Sequence, residues 1–156
     1  AFADRGEGFC VFNDVAVAAR VLQRGGLARR VAVIDCDVHQ GNGTAAIFAG
    51  DPAVFTFSMH GVNNFPFRKE TSDLDVTLED GAGDAEYLAL LSAHLPAVLD
   101  AHQPDLAFYV SGADAYEGDR FGRLHLTIEG LRRRDAYVFA ECRARGIPIG
   151  RRMASG

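Results

Sequence analysis

The chain has 156 residues, 48% of them hydrophobic, enough for one substantial core and hence a single domain. Its formal net charge of -5 argues against a nucleic-acid binder, and no apolar run is long enough to span a bilayer. Cys10, Cys36 and Cys142 are far apart with no CxxC spacing, which disfavours a disulfide framework or cysteine zinc site; with no signal peptide at the start, a reducing, cytoplasmic setting is expected.

Asn13 and Asp14 are cap candidates for a first helix that Gly25 and Gly26 stop. "RRVAVIDCD", residues 29–37, is a β-branched run suited to a strand covered on both faces. A short helix over 44–49 precedes a turn at Asp51 and Pro52, and "AVFTFSMHG", residues 53–61, reads as the second strand. Residues 63–83 carry loop signals, within which "LDVTL" alternates weakly and adds a short strand. Asp84 is read as the cap of a helix in which Tyr87, Leu88, Leu91, Leu95, Val98 and Leu99 recur at helical spacing, with Pro96 expected to bend or interrupt it. "PDLAFYVSGAD", residues 104–114, is a third strand. Thr127 caps the last helix, on which Leu131, Val138 and Cys142 share a face and Arg132, Arg133 and Arg134 are read as a solvated basic cluster. Gly146 ends that helix, and "IPIG" begins a fourth strand.

Helix and strand alternate, which predicts an α/β fold with a parallel sheet and helices on both faces. The C-terminal ends of the strands then share one edge, where open α/β sheets bind ligands. "DCDVHQGNGT", residues 35–44, puts two acids and a histidine at such an end. In an extended segment Asp35, Asp37 and His39 point one way, and Cys36 and Val38 the other. Asp114, closing "FYVSGAD", adds a carboxylate from a different strand. Unpaired buried acids cost several kcal/mol, roughly the effective penalty for a buried ion, and a divalent metal removes that cost. Asp37, His39 and Asp114 make a credible open site for zinc or ferrous iron. Taken singly, Asp37 and Asp114 also read as helix caps, and His39 as a core or loop histidine. Gly41 and Gly43 supply turn geometry or, as "GNGT" before a helix, a weak phosphate cradle.

"GFCVFND", "DCDVHQGNGT", "FTFSMHG", "FYVSGAD" and "LHLTIEGLRRRD", in this order and spacing, resemble the histone deacetylase superfamily. The resemblance is nearest to its bacterial members, grouped with acetylpolyamine amidohydrolases and acetoin-utilisation proteins, and covers residues 2–156. It implies a three-layer, arginase–deacetylase-like α/β fold, here incomplete: one partial deacetylase domain over 1–156 that lacks N-terminal and C-terminal portions. By the resemblance Asp37, His39 and Asp114 are the ligands of Zn2+, with Fe2+ as the other candidate. Asp35 matches an acid that supports a catalytic histidine and helps hold a structural K+, together with Ser58 and the main chain near Asp37, His39 and Met59. Asn42 stands where many members carry a second histidine-supporting aspartate. Gly8 and Phe9 match the wall of a substrate tunnel, with Phe65 as the opposing aromatic.

The implied reaction is metal-assisted hydrolysis of an acetyl amide on acetylated lysine, a polyamine or a small acetylated metabolite, with no direct role for nucleic acid or membrane. The family's tandem histidines should sit just before Ala1, and its oxyanion-stabilising tyrosine just after the closing "MASG", so this piece alone is expected to be inactive. His60 and His125 do not match that pair and are read as structural. Two other functions fit parts of the pattern. One is a homologue that binds acetylated ligands without turnover. The other is a magnesium phosphatase of the haloacid-dehalogenase type, which also places DxD after a first strand but needs a lysine near the phosphate, and Lys69 is the chain's only lysine.

Overall fold

The computed structural model of the chain describes residues 1–152. Its elements run α1 (Asp14–Arg24), β1 (Val31–Asp35), α2 (Asn42–Phe48), β2 (Val54–Gly61), β3 (Leu74–Leu78), α3 (Asp84–His102), β4 (Leu106–Val110), α4 (Ile128–Ala144) and β5 (Ile149–Arg152). The strands form one sheet in the order β3-β2-β1-β4-β5, and every pairing is parallel. The closing "MASG", residues 153–156, lies outside the described residues.

Strand alternation sorts the core into two layers. Ala32 and Ile34 of β1, Phe57 and Met59 of β2, and Ala107 and Tyr109 of β4 pack with Leu91, Leu95 and Leu99 of α3 and with Val138 and Cys142 of α4. Val31, Val33, Val54 and Val110 face the other way, onto Val15, Ala16 and Ala19 of α1 and Phe48 of α2. Helices therefore cover both faces, and β1, buried at every position, lies in the middle. Chain order runs from β1 outward through β2 to β3, then returns to β4 beside β1 and continues outward to β5. The direction reverses between β1 and β4, the topological switch point at which such sheets bind ligands.

Local signals place most boundaries. The Asn13 carboxamide accepts from the Ala16 N–H at 2.9 Å and caps α1, and Thr127 Oγ1 does the same for α4 from the Gly130 N–H at 3.0 Å. Three expectations need correction. Gly83, not Asp84, is the N-cap of α3; the Asp84 carboxylate instead takes the Thr127 N–H at 2.9 Å and hydroxyl at 2.6 Å, tying the start of α3 to that of α4. Pro96 does not interrupt α3, which runs unbroken through it. The helix loses one intrahelical bond there, but buried Leu91, Leu95, Val98 and Leu99 hold both flanks against the sheet. Arg134 is not on a solvated face. It is 2% exposed, whereas Arg132 lies outside and pairs with Glu129 at 2.7 Å.

One buried group on β2 makes stability depend on pH. His60 is fully buried; its Nδ1 lies 2.9 Å from Ser58 Oγ, and its Nε2 has no partner among the described residues. Burial pushes the imidazole down to about 4, with Asp75 opposing and Lys69 reinforcing the shift. The unfolded chain takes up this proton near pH 6.5, so stability is whole above that value and is lost as pH falls toward 4, by roughly 3 kcal/mol. Urea unfolding between pH 7 and 4 should show this decline, and His60→Gln should flatten it; equal slopes in parent and variant would refute the assignment.

Candidate metal centre

The site forms where β1 and β4 end side by side. Asp35 is the last residue of β1 and pairs in register with Val110 of β4 and Ser58 of β2. The chain stays extended past the strand: the Cys36 N–H donates to the Val110 carbonyl at 2.9 Å, and the Gly61 N–H donates to that of Val38 at 2.9 Å. Cys36 and Val38 consequently point into the α3–α4 core, and the intervening residues point toward the α1–α2 side. The alternation expected for DxDxH thus holds beyond the strand.

Asp37, His39 and Asp114 converge, each offering a ligand atom within 4.8 Å of the others. His39 Nδ1 lies 3.1 Å from Asp37 Oδ1 and 3.0 Å from Asp114 Oδ2. Backbone amides fix both carboxylates: Val38 N–H donates to Asp114 Oδ1 at 3.0 Å and His39 N–H to Asp37 Oδ1 at 2.8 Å. Asp35 accepts from the Asp37 N–H at 3.0 Å, so each acid of the motif orients the next turn of chain. Neither Asp37 nor Asp114 serves only as a helix cap; the helix after β1 is capped at Gly41, and both carboxylates turn to the shared imidazole.

The electrostatics are those of crowded, buried anions. Burial and then the Asp37 charge push the Asp35 carboxyl well above the carboxylate range. Burial also raises Asp37, against the bond from His39, and the Asp114 charge adds to the rise. For Asp114, burial acts upward but the bonds from His39 and the Val38 N–H outweigh it, leaving the group below its ordinary value. Hydrogen bonds to Asp114 and Asp37 hold the His39 imidazole up to about 10. A proton on Nδ1 is the smallest cation that can bridge two carboxylates. A divalent ion held by the same three atoms would take its place, with coordination to spare.

Glycines permit the close approach. Gly112 has φ +35, and a Cβ there would come within 2.6 Å of the Asp37 Cα. That explains why a glycine stands two positions before Asp114. Gly41 and Gly43 are not left-handed, so turn geometry is not their reason. A Cβ on Gly41 would strike the Asp35 carboxylate, and one on Gly43 the Ala1 carbonyl.

A cleft of about 540 Å³ opens beside this cluster, with Asp35, Asp37 and His39 among its lining residues. Gly8, Phe9 and Phe65, which the resemblance assigns to a tunnel wall, line it, and so do Phe67, Phe121 and Glu7, which were not singled out. Gly8 and Phe9 both have φ +62 and sit between Glu7 and Cys10, whose N–H groups and carbonyls exchange bonds. This is a two-residue hairpin turn of the kind with both central residues at positive φ, and it pushes the Phe9 ring, 91% exposed, out over the cleft. Phe65 stacks edge-on against Phe67 with centroids 6.3 Å apart. Asn42 donates to Glu7 Oε1 at 2.6 Å and takes the Gly43 N–H at 2.9 Å. Asp35 and Asn42 bond to no histidine among the described residues, and His39 is the one histidine among the lining residues.

The histone deacetylase domain family matches residues 1–150. An uncharacterised protein of Picosynechococcus sp. is 50% identical over 149 residues, covering 96% of this chain and 50% of that protein. Histone deacetylase 2 of Arabidopsis thaliana is 33% identical over 94% of this chain and 39% of its own length. A probable deacetylase of Methanothermobacter thermautotrophicus is 39% identical over 81% of this chain and 42% of its own. The chain thus spans about half the length of the curated relatives it matches, or less. Its fold superposes over its whole length on 47% of an acetylpolyamine aminohydrolase from Burkholderia pseudomallei, with a TM-score of 0.86 at 27% identity. The crystal structure of the HDA15 HD domain superposes on it with a TM-score of 0.82 at 28% identity, the match covering 48% of that domain's chain. Family match, relatives and shared architecture agree with the sheet-edge geometry: this chain belongs to the histone deacetylase family.

Proposed function

We propose that the protein carrying this chain is a metal-dependent hydrolase that removes acetyl groups from amines. The observation that carries the reading is the convergence of Asp37, His39 and Asp114, with Asp37 and His39 lining an aromatic-walled cleft. Two carboxylates and one imidazole with open coordination suit Zn2+, and Fe2+ equally by donor type. Such an ion supplies Lewis acidity toward an acetyl carbonyl and the means to lower the pKa of water to about 7. The chain's own residues hold the ion and shape the approach. The amides of Val38 and His39 hold the Asp114 and Asp37 carboxylates, Asp35 holds the Asp37 main-chain amide, and Phe9 and Phe65 offer apolar wall to an aliphatic stem while limiting water.

That wall suits acetyl-lysine, an acetylated polyamine or a small acetylated metabolite. A structural monovalent cation, K+ by size and donor type, is proposed beside Asp35 and Ser58, which are register neighbours, with the main chain of Asp37, His39 and Met59. The three cysteines are free, in keeping with the cytoplasmic setting proposed, and among the described residues no helix is long and apolar enough to cross a membrane. The phosphatase reading lacks its lysine: Lys69 Nζ is engaged by the carbonyls of Asn64 and Pro66, and Lys69 is not among the residues lining the cleft.

Proton transfer needs groups besides those lining this cleft, so the 156-residue segment alone is proposed to be inactive. The test is release of acetate from an acetyl-lysine peptide and from an acetylated polyamine by the whole protein loaded with Zn2+ or Fe2+. Asp114→Ala should lower turnover by at least about 10²-fold. Binding of the peptide without turnover would favour the non-catalytic reading, and turnover by the isolated segment that Asp37→Ala abolishes would overturn its proposed inactivity.

A separate outcome concerns stability. Asp37→Asn relieves the crowding of buried carboxylates in the metal-free protein, and its unfolding midpoint should rise by about 2–4 °C, the shift expected for 1 kcal/mol at this size. The same variant should lose the further rise that Zn2+ gives the parent, measured by thermal unfolding with and without the metal. A metal-free variant less stable than the parent would show that Asp37 is held by favourable contacts rather than in wait for a cation.

A further inference from the structure

Arg134 is the largest fully buried side chain among the described residues, and nothing in the reaction proposed above uses it. A buried guanidinium is retained only with its donors and charge satisfied. Its Nη1 donates to the Cys36 carbonyl at 3.1 Å, and its Nη2 donates to the Ser111 carbonyl. Asp135 supplies the counter-charge, accepting from Nε at 3.0 Å and Nη2 at 2.9 Å. The Asp135 carboxylate is itself held by the Tyr109 hydroxyl at 2.7 Å and by Arg151 at 3.2 Å.

The two carbonyls are what matter. The β1–β4 ladder ends at the pair Asp35 and Val110. Cys36 and Ser111 are the next residue on each strand, one step before Asp37 and three before Asp114. The Cys36 carbonyl belongs to the peptide unit that carries the Asp37 amide. The guanidinium thus continues the tie between the two strands at the point where their own pairing stops and the ligand-bearing loops begin.

We propose that Arg134 is a positioning residue for the metal centre, its planar fork spanning the Cys36 and Ser111 carbonyls and so fixing the separation of Asp37 and Asp114. The inference rests on the metal reading given above. A lysine would present a compact ammonium with no rigid fork and could not hold both carbonyls at the same spacing.

The test uses Co2+ alone as probe on the purified whole protein, its affinity measured by competition with a chromophoric chelator and its coordination read from the visible absorption spectrum. The proteins are the parent, Arg134→Met, Arg134→Lys, the exposed control Arg133→Met and the ligand control Asp37→Ala, each checked for folding by circular dichroism. Arg134→Met should weaken Co2+ binding by about 10–100-fold, the usual effect of losing a group that orients metal ligands, and alter the spectrum. Arg134→Lys should recover only part of the affinity, and Arg133→Met should match the parent. Folded Arg134 variants with parental affinity and spectrum overturn the inference. So does a failure of both Arg134 variants to fold, which makes the residue a requirement of the fold rather than of the site. A parent that takes up no Co2+ overturns the metal reading and this inference with it. A parent that binds Co2+ no better than Arg134 variants do overturns the inference alone.

Discussion

Three carboxylates, Asp35, Asp37 and Asp114, meet below the surface at one edge of a parallel sheet, and much of the surrounding structure answers to that crowding. Left with only each other they would not stay ionised together, and burial already drives Asp35 and Asp37 upward. What holds them is partial. Backbone amides meet some of their oxygens, and a single imidazole, His39, is shared by two of the three. Under the metal reading proposed above, a cation on Asp37, His39 and Asp114 would relieve that repulsion, and the relief would add to its binding free energy.

The sheet makes that gathering feasible. Parallel strands deliver their C-terminal ends to one edge, and the strand order brings the ends of β1 and β4 together although Val110 lies 75 positions after Asp35 in the chain. Ladder pairing sets their relative height, with Asp35 beside Val110. The last steps are made by loops: Gly112 allows the β4 loop to lie against the Asp37 backbone, and Gly41 leaves room for the Asp35 carboxylate. The aromatic hairpin tip at Phe9 and the loop carrying Phe65 then wall the opening without taking part in the sheet. Position comes from regular structure and access from irregular structure.

The sequence made the first of these legible and much of the second obscure. Four apolar residues running into DxDxH announce a buried strand with a polar end, because period-2 geometry assigns each side chain a face. The same rule set Cys36 and Val38 on the opposite face, which proves to be core. Capping chemistry identified Asn13 and Thr127, because the bonds that cap their helices go to amides three residues on. It misassigned Asp84, whose partner Thr127 is 43 residues away and invisible to a local rule. Pro96 was misjudged because propensity counts a lost bond and not the leucines that pin the helix on either side. Arg134 was readable in part. It falls with Leu131, Val138 and Cys142 at helical spacing, on the stripe that the sequence marked as buried. Only the habit of treating arginine runs as surface concealed it. No signal of this kind marks Glu7, whose contact with Asn42 spans 35 residues.

Charge can be followed one step further. A divalent ion on Asp37, His39 and Asp114 cancels the two ligand carboxylates and leaves Asp35, 8% exposed, as a net negative charge beside a neutral centre. Arg134 cannot serve it, since that guanidinium already answers Asp135 on the α3–α4 side of the sheet. Arg152 draws the Asp35 carboxyl downward, but its Nε is paired with Asp14 at 2.5 Å, and burial still prevails. Ser58 is the register neighbour of Asp35 on the same side, with oxygen to offer. A monovalent cation between them would close the balance, three negative charges against a divalent and a monovalent ion. A second divalent ion would overcharge it. On this argument the proposed K+ would be no accessory to the metal site: it would be the counter-charge that lets Asp35 stay ionised and keep its bond to the Asp37 amide.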